Sequence, residues 1–532
     1  MRLGVDVGGT NTDAALLGER GVVASVKTPT TADVGGGIDD AIRKVLATGT
    51  NFRDLIEAVV IGTTHFTNAF VERKRLNEVG VIRLCLPAAR DLAPMAGWPD
   101  ELRRRMGSGV HLVPGGYEFD GREIAPFDAS AVRHAARSLR AQGLRAVAIS
   151  SICSPMNSDM ERSAAKVVLD EIPEAAITLS SDIGRIGLIE RENATIMNAA
   201  LADLSSQVTR AIREALLGLG IDAPFYLSQN DGTLMQADFA ERYPVMTFSS
   251  GPTNSMRGAA WLSGVRNGIV VDIGGTTTDV GALVEGYPRE SSLPVDIGGV
   301  RTNFRMPDVV AIGLGGGSIV TDSHGLRIGP ESVGFRLPEK ARIFGGDTLT
   351  ATDIVVAAGH VDIGDRRRVR KLGSAFVDRV LARMNAMVED VIDTVKTSAD
   401  DVPVVLVGGG SILVTDDLRG AERIVVPERP GEANAIGAAM AQVGGLVDRV
   451  FCYRDTPRSE AVAMATGEAT RRVAEAGGDG EAVEIVDFEE VPMAYSGNDS
   501  VRIRIKAVSD LRAQRAETAQ AMRQDGAPRP RH

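Results

Sequence analysis

Cysteine is scarce, with three in 532 residues. Cys85, Cys153 and Cys452 stand far apart, without the close spacing of a metal site or the density of a disulfide framework. All three are expected to be buried free thiols, which fits a reducing cytoplasm. Aromatic residues make up only 4%. No apolar run reaches the ~18 residues of a membrane-spanning helix. The start Met1-Arg2-Leu3-Gly4-Val5-Asp6 enters a strand-like pattern with no signal-peptide charge and apolar core. Positive charge is in deficit, 59 Lys and Arg against 70 Asp and Glu, for a net −11. That balance argues against nucleic-acid or membrane binding through a global field. A phosphate ligand would have to be held locally, by backbone, metal and a few cations. What the chain has in quantity is glycine, 59 residues without a low-complexity tract. With 44% hydrophobic and 24% charged residues it reads as globular, with many tight turns. Its length allows roughly three to four units of ~150 residues.

One octamer occurs twice. Asp6-Val7-Gly8-Gly9-Thr10-Asn11-Thr12-Asp13 recurs as Asp272-Ile273-Gly274-Gly275-Thr276-Thr277-Thr278-Asp279, with six positions identical. Each copy lies between two apolar runs, so each reads as a β-hairpin, and the pair suggests two similar halves. A Gly-Gly turn lets the backbone approach a ligand closely, and its successive N–H groups can point at phosphate oxygens. An aspartate at the strand end can hold Mg²⁺ directly or through water. Asp6, Gly8, Gly9, Thr10, Asn11, Thr12 and Asp13 form one candidate arm. Asp272, Gly274, Gly275, Thr276, Thr277 and Asp279 form the other. Two such arms would clamp a triphosphate between them. A single copy would be an ordinary turn with Asx hydrogen bonding, but turn propensity does not select the whole octamer twice.

Two glycine triplets follow, Gly315-Gly316-Gly317-Ser318 and Gly408-Gly409-Gly410-Ser411. The second leaves a fully apolar strand and suits close approach to a nucleotide base or ribose. Either alone also reads as a plain βα loop. Neither precedes Gly-Lys-Ser/Thr, and neither opens a dinucleotide-binding fingerprint. Strands are expected at 58–61, 80–84, 144–152, 404–407 and 501–508, and long helices at 191–217 and 375–396. Residues 87–127 read as an irregular insertion rich in Pro, Gly and Arg. Arg103 to Arg105 and Arg366 to Arg368 read as solvated surface. His65 follows Gly62-Thr63-Thr64 and reads as a packed histidine at a helix start.

Taken in order, the segments 6–13, 62–64 with 68–69 and 72–74, 193–201, 250–252, 272–280, 313–318, 329–332 and 408–410 resemble the hydantoinase/oxoprolinase family. That family includes the A subunit of N-methylhydantoinase and the matching half of 5-oxoprolinase, and looks like a branch of the actin, heat-shock chaperone and sugar-kinase superfamily. The resemblance implies an α/β fold of two ribonuclease-H-like lobes around an ATP cleft, with a small C-terminal extension. It divides the chain into an N-terminal lobe at 1–190, a second ATPase lobe at 191–450 and an extension at 451–532 with a frayed tail. Helices near 193–215 and 433–441 would cross between the lobes. Residues 6–13 and 272–279 would be the phosphate loops, and Gly408, Gly409, Gly410 and Ser411 the adenosine loop, with Gly315, Gly316 and Gly317 beside them.

The implied cofactors are ATP and Mg²⁺, with Asp6 and Asp272 on the metal and Thr10, Thr12, Thr276 and Thr277 on the phosphates. Asp13 or Asp279 would orient the metal shell or the acceptor. The implied activity is that of a cytoplasmic, multi-subunit, ATP-dependent hydrolase. It would activate a cyclic amide such as a lactam, 5-oxoproline or hydantoin by phosphoryl transfer to the carbonyl oxygen. A hydantoinase B-like partner would complete the hydrolysis, and a homo-oligomer is compatible with this reading. Carboxylase subunits, small-molecule kinases and ATP-driven reactivases are the alternative expectations.

Overall fold

The computed structural model describes residues 1–511 apart from 9–10, 30–33, 50–51, 120, 292, 304–305, 324, 415–416 and 494–498. The opening hairpin forms where the pattern placed it, from strands Arg2–Val7 and Asn11–Gly18. Strand Gly21–Pro29 pairs antiparallel with the second of these. Ala58–Thr63 runs parallel to Arg2–Val7 on its other side, and Phe225–Ser228 runs parallel beyond it. This gives the strand order third, second, first, fourth, fifth, the ribonuclease-H-like arrangement. Leu3, Val5, Val59 and Ile61 are all fully buried, because both faces of the sheet are covered. One face packs on helix Val34–Leu46 through Ile38 and Ile42. The other packs on helix Ala433–Met440 at Gly4, where a Cβ would overlap Ala435 and Ala439.

The second octamer builds the same thing again. Gly268–Ile273, Thr278–Val284 and Val309–Ile312 pair antiparallel, and Val402–Val407 and Ala421–Val425 add in parallel. Helix Ser374–Val395 covers this sheet with Val377, Val380, Met384, Val388 and Val391.

The first sheet continues well past its fifth strand, through Thr233–Gln236, Gln442–Cys452, Ser500–Ser509 and Glu484–Pro492. Its nine strands come from all three expected segments, so the limits at 190 and 450 do not coincide with the sheets. Gln442–Cys452 leaves the helix Ala433–Met440 and returns to the first lobe, offering an edge that Ser500–Ser509 covers. Val501, Ile503 and Ile505 then bury against Ala461, Ala465, Ala469 and Val473 of helix Arg458–Glu475. Strands Ser500–Ser509 and Glu484–Pro492 thus complete the first lobe's sheet.

The first lobe also carries an inserted parallel sheet in the order Val110–Pro114, Val79–Leu86, Ala146–Ser151, Ala176–Leu179. The stretch expected to be irregular contributes helix Asp100–Met106 and strand Val110–Pro114. That strand is mostly half-buried, so neither alternation nor a clean apolar run marked it. The long helix expected at 191–217 is two, Leu188–Ala200 and Ala202–Gly218, broken at Leu201.

Helix Leu188–Ala200 lies under the inserted sheet, with Glu192 ion-paired to the equally buried Arg83. It does not cross between lobes. The crossing partner of Ala433–Met440 is helix Ser250–Ser263. The two meet at Gly258 and Gly437, where a Cβ on either would overlap the other helix's backbone at Ala433 or Asn254. Cys85 is buried and Cys153 and Cys452 are half-buried, all three as free thiols. Arg103 to Arg105 and Arg366 to Arg368 are exposed, as charge runs usually are. Among the described residues no helix is long and apolar enough to cross a membrane.

Candidate functional site

The two hairpins share their closing hydrogen bond and their register. Gly8 N donates to Asn11 O at 3.0 Å in the first turn, and Gly274 N donates to Thr277 O at 2.9 Å in the second. Asp6 stands opposite Asp13 in register, and Asp272 opposite Asp279. A glycine flanks each leading aspartate at the end of the neighbouring parallel strand. A Cβ on Gly62 would overlap Asp6 Oδ1 and Asn254 Nδ2, and one on Gly408 would overlap Asp272 Oδ1.

Both crossing helices serve this centre. Asn434 Nδ2, from Ala433–Met440, donates to Asp6 Oδ2 at 3.3 Å. From Ser250–Ser263, Asn254 faces Asp6 and Ser255 lies beside Asp272. None of these three polar residues stands in an octamer. Segment 250–252 and helix 433–441 marked their neighbourhoods in the sequence, but not their roles.

The carboxylates are held at high energy. Burial pushes Asp6 above the usual carboxylate range, Asn434 and Asn254 pull it back, and the charge of Asp272 pushes it up again. The leading aspartates of the two lobes therefore feel one another. Asp272 is raised by burial, offset by the Ser255 hydroxyl and by Lys27. Asp13 is pushed up to about 6 by burial, although Lys27 Nζ lies 2.8 Å from its Oδ2. Asp279 is pushed up to about 7 by burial and by Asp272. The difference between the pairs lies in the third strand of each lobe, where Lys27 stands opposite Asp13 and Ala311 opposite Asp279.

This donor set fits a divalent cation with an anionic ligand. Asp13 Oδ1 is buried without a hydrogen-bond partner. Among the described residues no three His, Cys, Asp or Glu side chains gather to enclose a metal. A cation here would draw most of its shell from water and phosphate oxygens, as Mg²⁺ does.

The remaining expected residues divide by what their atoms already do. Gly9 and Thr10 lie outside the described residues. Thr12 is brought to the turn but is 0% exposed, its carbonyl accepting from Thr28 Oγ1. It has no exposed surface to offer a phosphate. Its counterpart Thr278 is buried too, donating to Leu314 O at 2.7 Å. Asn11 remains half-buried, Thr276 half-buried and Thr277 exposed.

The first glycine triplet packs on the second turn. Gly316 N donates to Gly274 O and Gly317 N to Gly275 O, while Gly315 sits where a Cβ would overlap Thr276 N. These amides shape the turn, so they are not available to a ligand. In the second triplet Gly408 N donates to Pro430 O and Gly410 N to Ile273 O. Ser411 is buried at the start of the short turn Ser411–Leu413. A Cβ on Gly275 or Gly409 would meet nothing within 4 Å, so these two glycines present the open sides of their loops. His65 opens helix His65–Val71 with Nδ1 3.4 Å from Thr63 Oγ1. Burial, and then Arg75, lower its pKa.

Residues 2–172 match the hydantoinase/oxoprolinase N-terminal region, and residues 191–365 match the adjoining hydantoinase/oxoprolinase region. The chain belongs to the hydantoinase/oxoprolinase family. Among curated family members, caprolactamase subunit alpha of Pseudomonas jessenii is 29% identical over 386 residues, covering 68% of this chain and 55% of that one. The acetophenone carboxylase gamma subunit of Aromatoleum aromaticum is 27% identical over 393 residues, covering 67% and 53%. The chain spans about half the length of these curated relatives. The crystal structure of ATP-dependent caprolactamase from Pseudomonas jessenii superposes with a TM-score of 0.77 at 20% identity, over 96% of this chain and 88% of that one. This hydantoinase/oxoprolinase chain shares that fold.

Proposed function

We propose that this chain binds ATP with Mg²⁺ between the Asp6 and Asp272 hairpins and activates the carbonyl oxygen of a cyclic amide. A lactam, 5-oxoproline or hydantoin is the substrate class. The observation that carries the reading is that one helix, Ser250–Ser263, brings Asn254 to the buried Asp6 of one lobe and Ser255 to the half-buried Asp272 of the other, where it crosses helix Ala433–Met440.

An unstrained amide is a poor electrophile with a poor leaving group. ATP with Mg²⁺ would supply the phosphoryl group that converts the amide into an O-phosphorylated, imidate-like species whose carbon water can attack, so that the C–N bond breaks and the protonated ring nitrogen leaves as the amine. Phosphoryl transfer asks the protein for positioning and charge neutralisation rather than covalent chemistry. Asp6 and Asp272 would hold the cation, and Gly62 and Gly408 leave the space beside their carboxylates that a Cβ would fill. Gly275, Thr276 and Thr277 offer the tip of the second turn to phosphate oxygens, and Gly409 offers its open side to the nucleoside. Asp13 or Asp279 would orient the metal shell or the acceptor. A separate hydantoinase B-like subunit opens the activated ring; support comes from relatives named as subunits.

The test is co-purification with the native partner, followed by assay of the complex with ATP, Mg²⁺ and 5-oxoproline, hydantoin or caprolactam. Phosphate release that requires the lactam and yields the ring-opened acid is the expected result. A carboxylated ketone formed with bicarbonate would move the chain to the carboxylases, a reading the acetophenone carboxylase relative supports. A stable phosphorylated small molecule would make it a kinase. Phosphate release driven by a protein alone would make it a switch.

A further inference from the structure

Resting on the nucleotide reading above, we propose that Lys27 is a further ligand-contacting residue of the cleft, binding the terminal phosphates of the nucleotide while it bridges to Asp13. It lies outside both octamers and both glycine triplets, in strand Gly21–Pro29, and reaches the site only because that strand pairs with the hairpin. Its ammonium is 2.8 Å from Asp13 Oδ2. Its side chain is 37% exposed where that of Asp13 is 8%. The lysine therefore stands at the open edge of the pair, with the carboxylate behind it. An ammonium has three N–H donors on a flexible stem, and Asp13 Oδ2 takes one of them. Among the described residues the other two have no partner, which leaves them to meet an incoming oxyanion.

The stem places that charge at the lobe junction. Lys27 Cε runs alongside Gly431. The preceding carbonyl, Pro430 O, accepts from Gly408 N of the second glycine triplet at 2.8 Å. Lys27 thus lies next to the loop that ties the second lobe's triplet to the crossing helix. Its charge reaches Asp6 and Asp13 in its own lobe and Asp272 in the other. A triphosphate with one divalent cation remains anionic, and it would enter a cleft already holding four carboxylates. A chain of net charge −11 gives no global field to offset this. A local cation at the mouth is what the electrostatics require, and Ala311 leaves the second hairpin without one at the matching position.

The test is titration calorimetry of the intact chain in Mg²⁺ with ATP, ADP and adenosine, comparing wild type with Lys27→Met and Lys27→Arg. Lys27→Met should weaken ATP binding at least tenfold, ADP binding less, and adenosine binding less than twofold. Lys27→Arg should restore most of the preference for ATP over adenosine. Should Lys27→Met melt early without ligand, Lys27→Gln reads the same series. Equal losses for ATP and adenosine, or equal behaviour of the Arg and Met variants, would overturn the role of Lys27. A wild type that binds none of the three ligands sinks the nucleotide cleft itself; a wild type that binds them, with Lys27→Met unchanged, sinks only this inference.

Discussion

Asn254 and Ser255 follow one another on helix Ser250–Ser263, yet Asn254 faces Asp6 of one lobe and Ser255 lies beside Asp272 of the other. Adjacent residues on a helix point about 100° apart, so a helix threaded between two sheets can serve both. A rotation or slide of this helix changes both aspartate environments at once. The two halves of the cleft are mechanically joined at that point.

Asp272→Ala should lower ATP turnover by at least a hundredfold while far-UV circular dichroism and the melting temperature stay near wild type. The carboxylate is held above its ordinary pKa by burial, so losing its charge does not cost the fold. Phosphate release by the purified complex measures the effect, and near-normal turnover would count against the cleft.

Asp279 makes a pH-dependent contribution to stability. Its carboxyl titrates at about 7 in the fold against about 3.9 in an open chain. Between those values the folded chain keeps a proton that the unfolded chain has released. The group's stabilising contribution is therefore complete below about pH 4 and lost as pH rises through about 7. Asp279→Asn mimics the protonated form. It should be more stable than wild type by roughly 1–3 kcal/mol at pH 8 and indistinguishable at pH 4. Urea unfolding at the two pH values reads the difference directly.

Gly437→Ala tests the helix crossing. The new methyl group would overlap Asn254 O, forcing apart the helices that bring Asn434 and Asn254 to Asp6. A loss of roughly 1–3 kcal/mol is expected for such overpacking. ATP affinity should fall with it, measured by calorimetry below the lowered melting temperature. A variant with unchanged affinity would mean the crossing does not set the cleft.

Arg83 and Glu192 are both fully buried, with Arg83 Nε donating to Glu192 Oε2 at 2.6 Å and Ser150 Oγ donating to the same oxygen. Removing one partner strands the other charge. Arg83→Met should cost about 3–5 kcal/mol, whereas Arg83→Met with Glu192→Leu should recover most of that. Chemical denaturation of the two variants distinguishes the pair's coupling from simple loss of packing.

Several elements were legible because their signals are local. The hairpin of Asp6 to Asp13 is written in eight consecutive residues, and so is its copy at Asp272 to Asp279. The helix Ser374–Val395 shows its apolar stripe at helical spacing within one segment. The strand Val110–Pro114 was not legible, because its half-buried residues follow neither the strand nor the helix period. Leu201 breaks what reads as one continuous helix, since the apolar spacing runs through the break. Thr12 matches a phosphate-loop threonine in sequence, yet the packed fold leaves it fully buried, which the octamer itself does not predict.

The sequence alone determined that two aspartate-headed glycine turns exist, that each opens an α/β half, and that apolar strands run into glycine triplets. These depend on steric and periodic rules acting over a few residues. Only the tertiary structure decided that Asn434 reaches Asp6 from 428 positions away, that helix Ser250–Ser263 is the shared strut, and that strands Ser500–Ser509 and Glu484–Pro492 extend to its edge the sheet that contains Arg2–Val7. Those pairings are chosen by which faces remain to be buried once the sheets form, and burial is a property of the whole packed chain rather than of any segment in it.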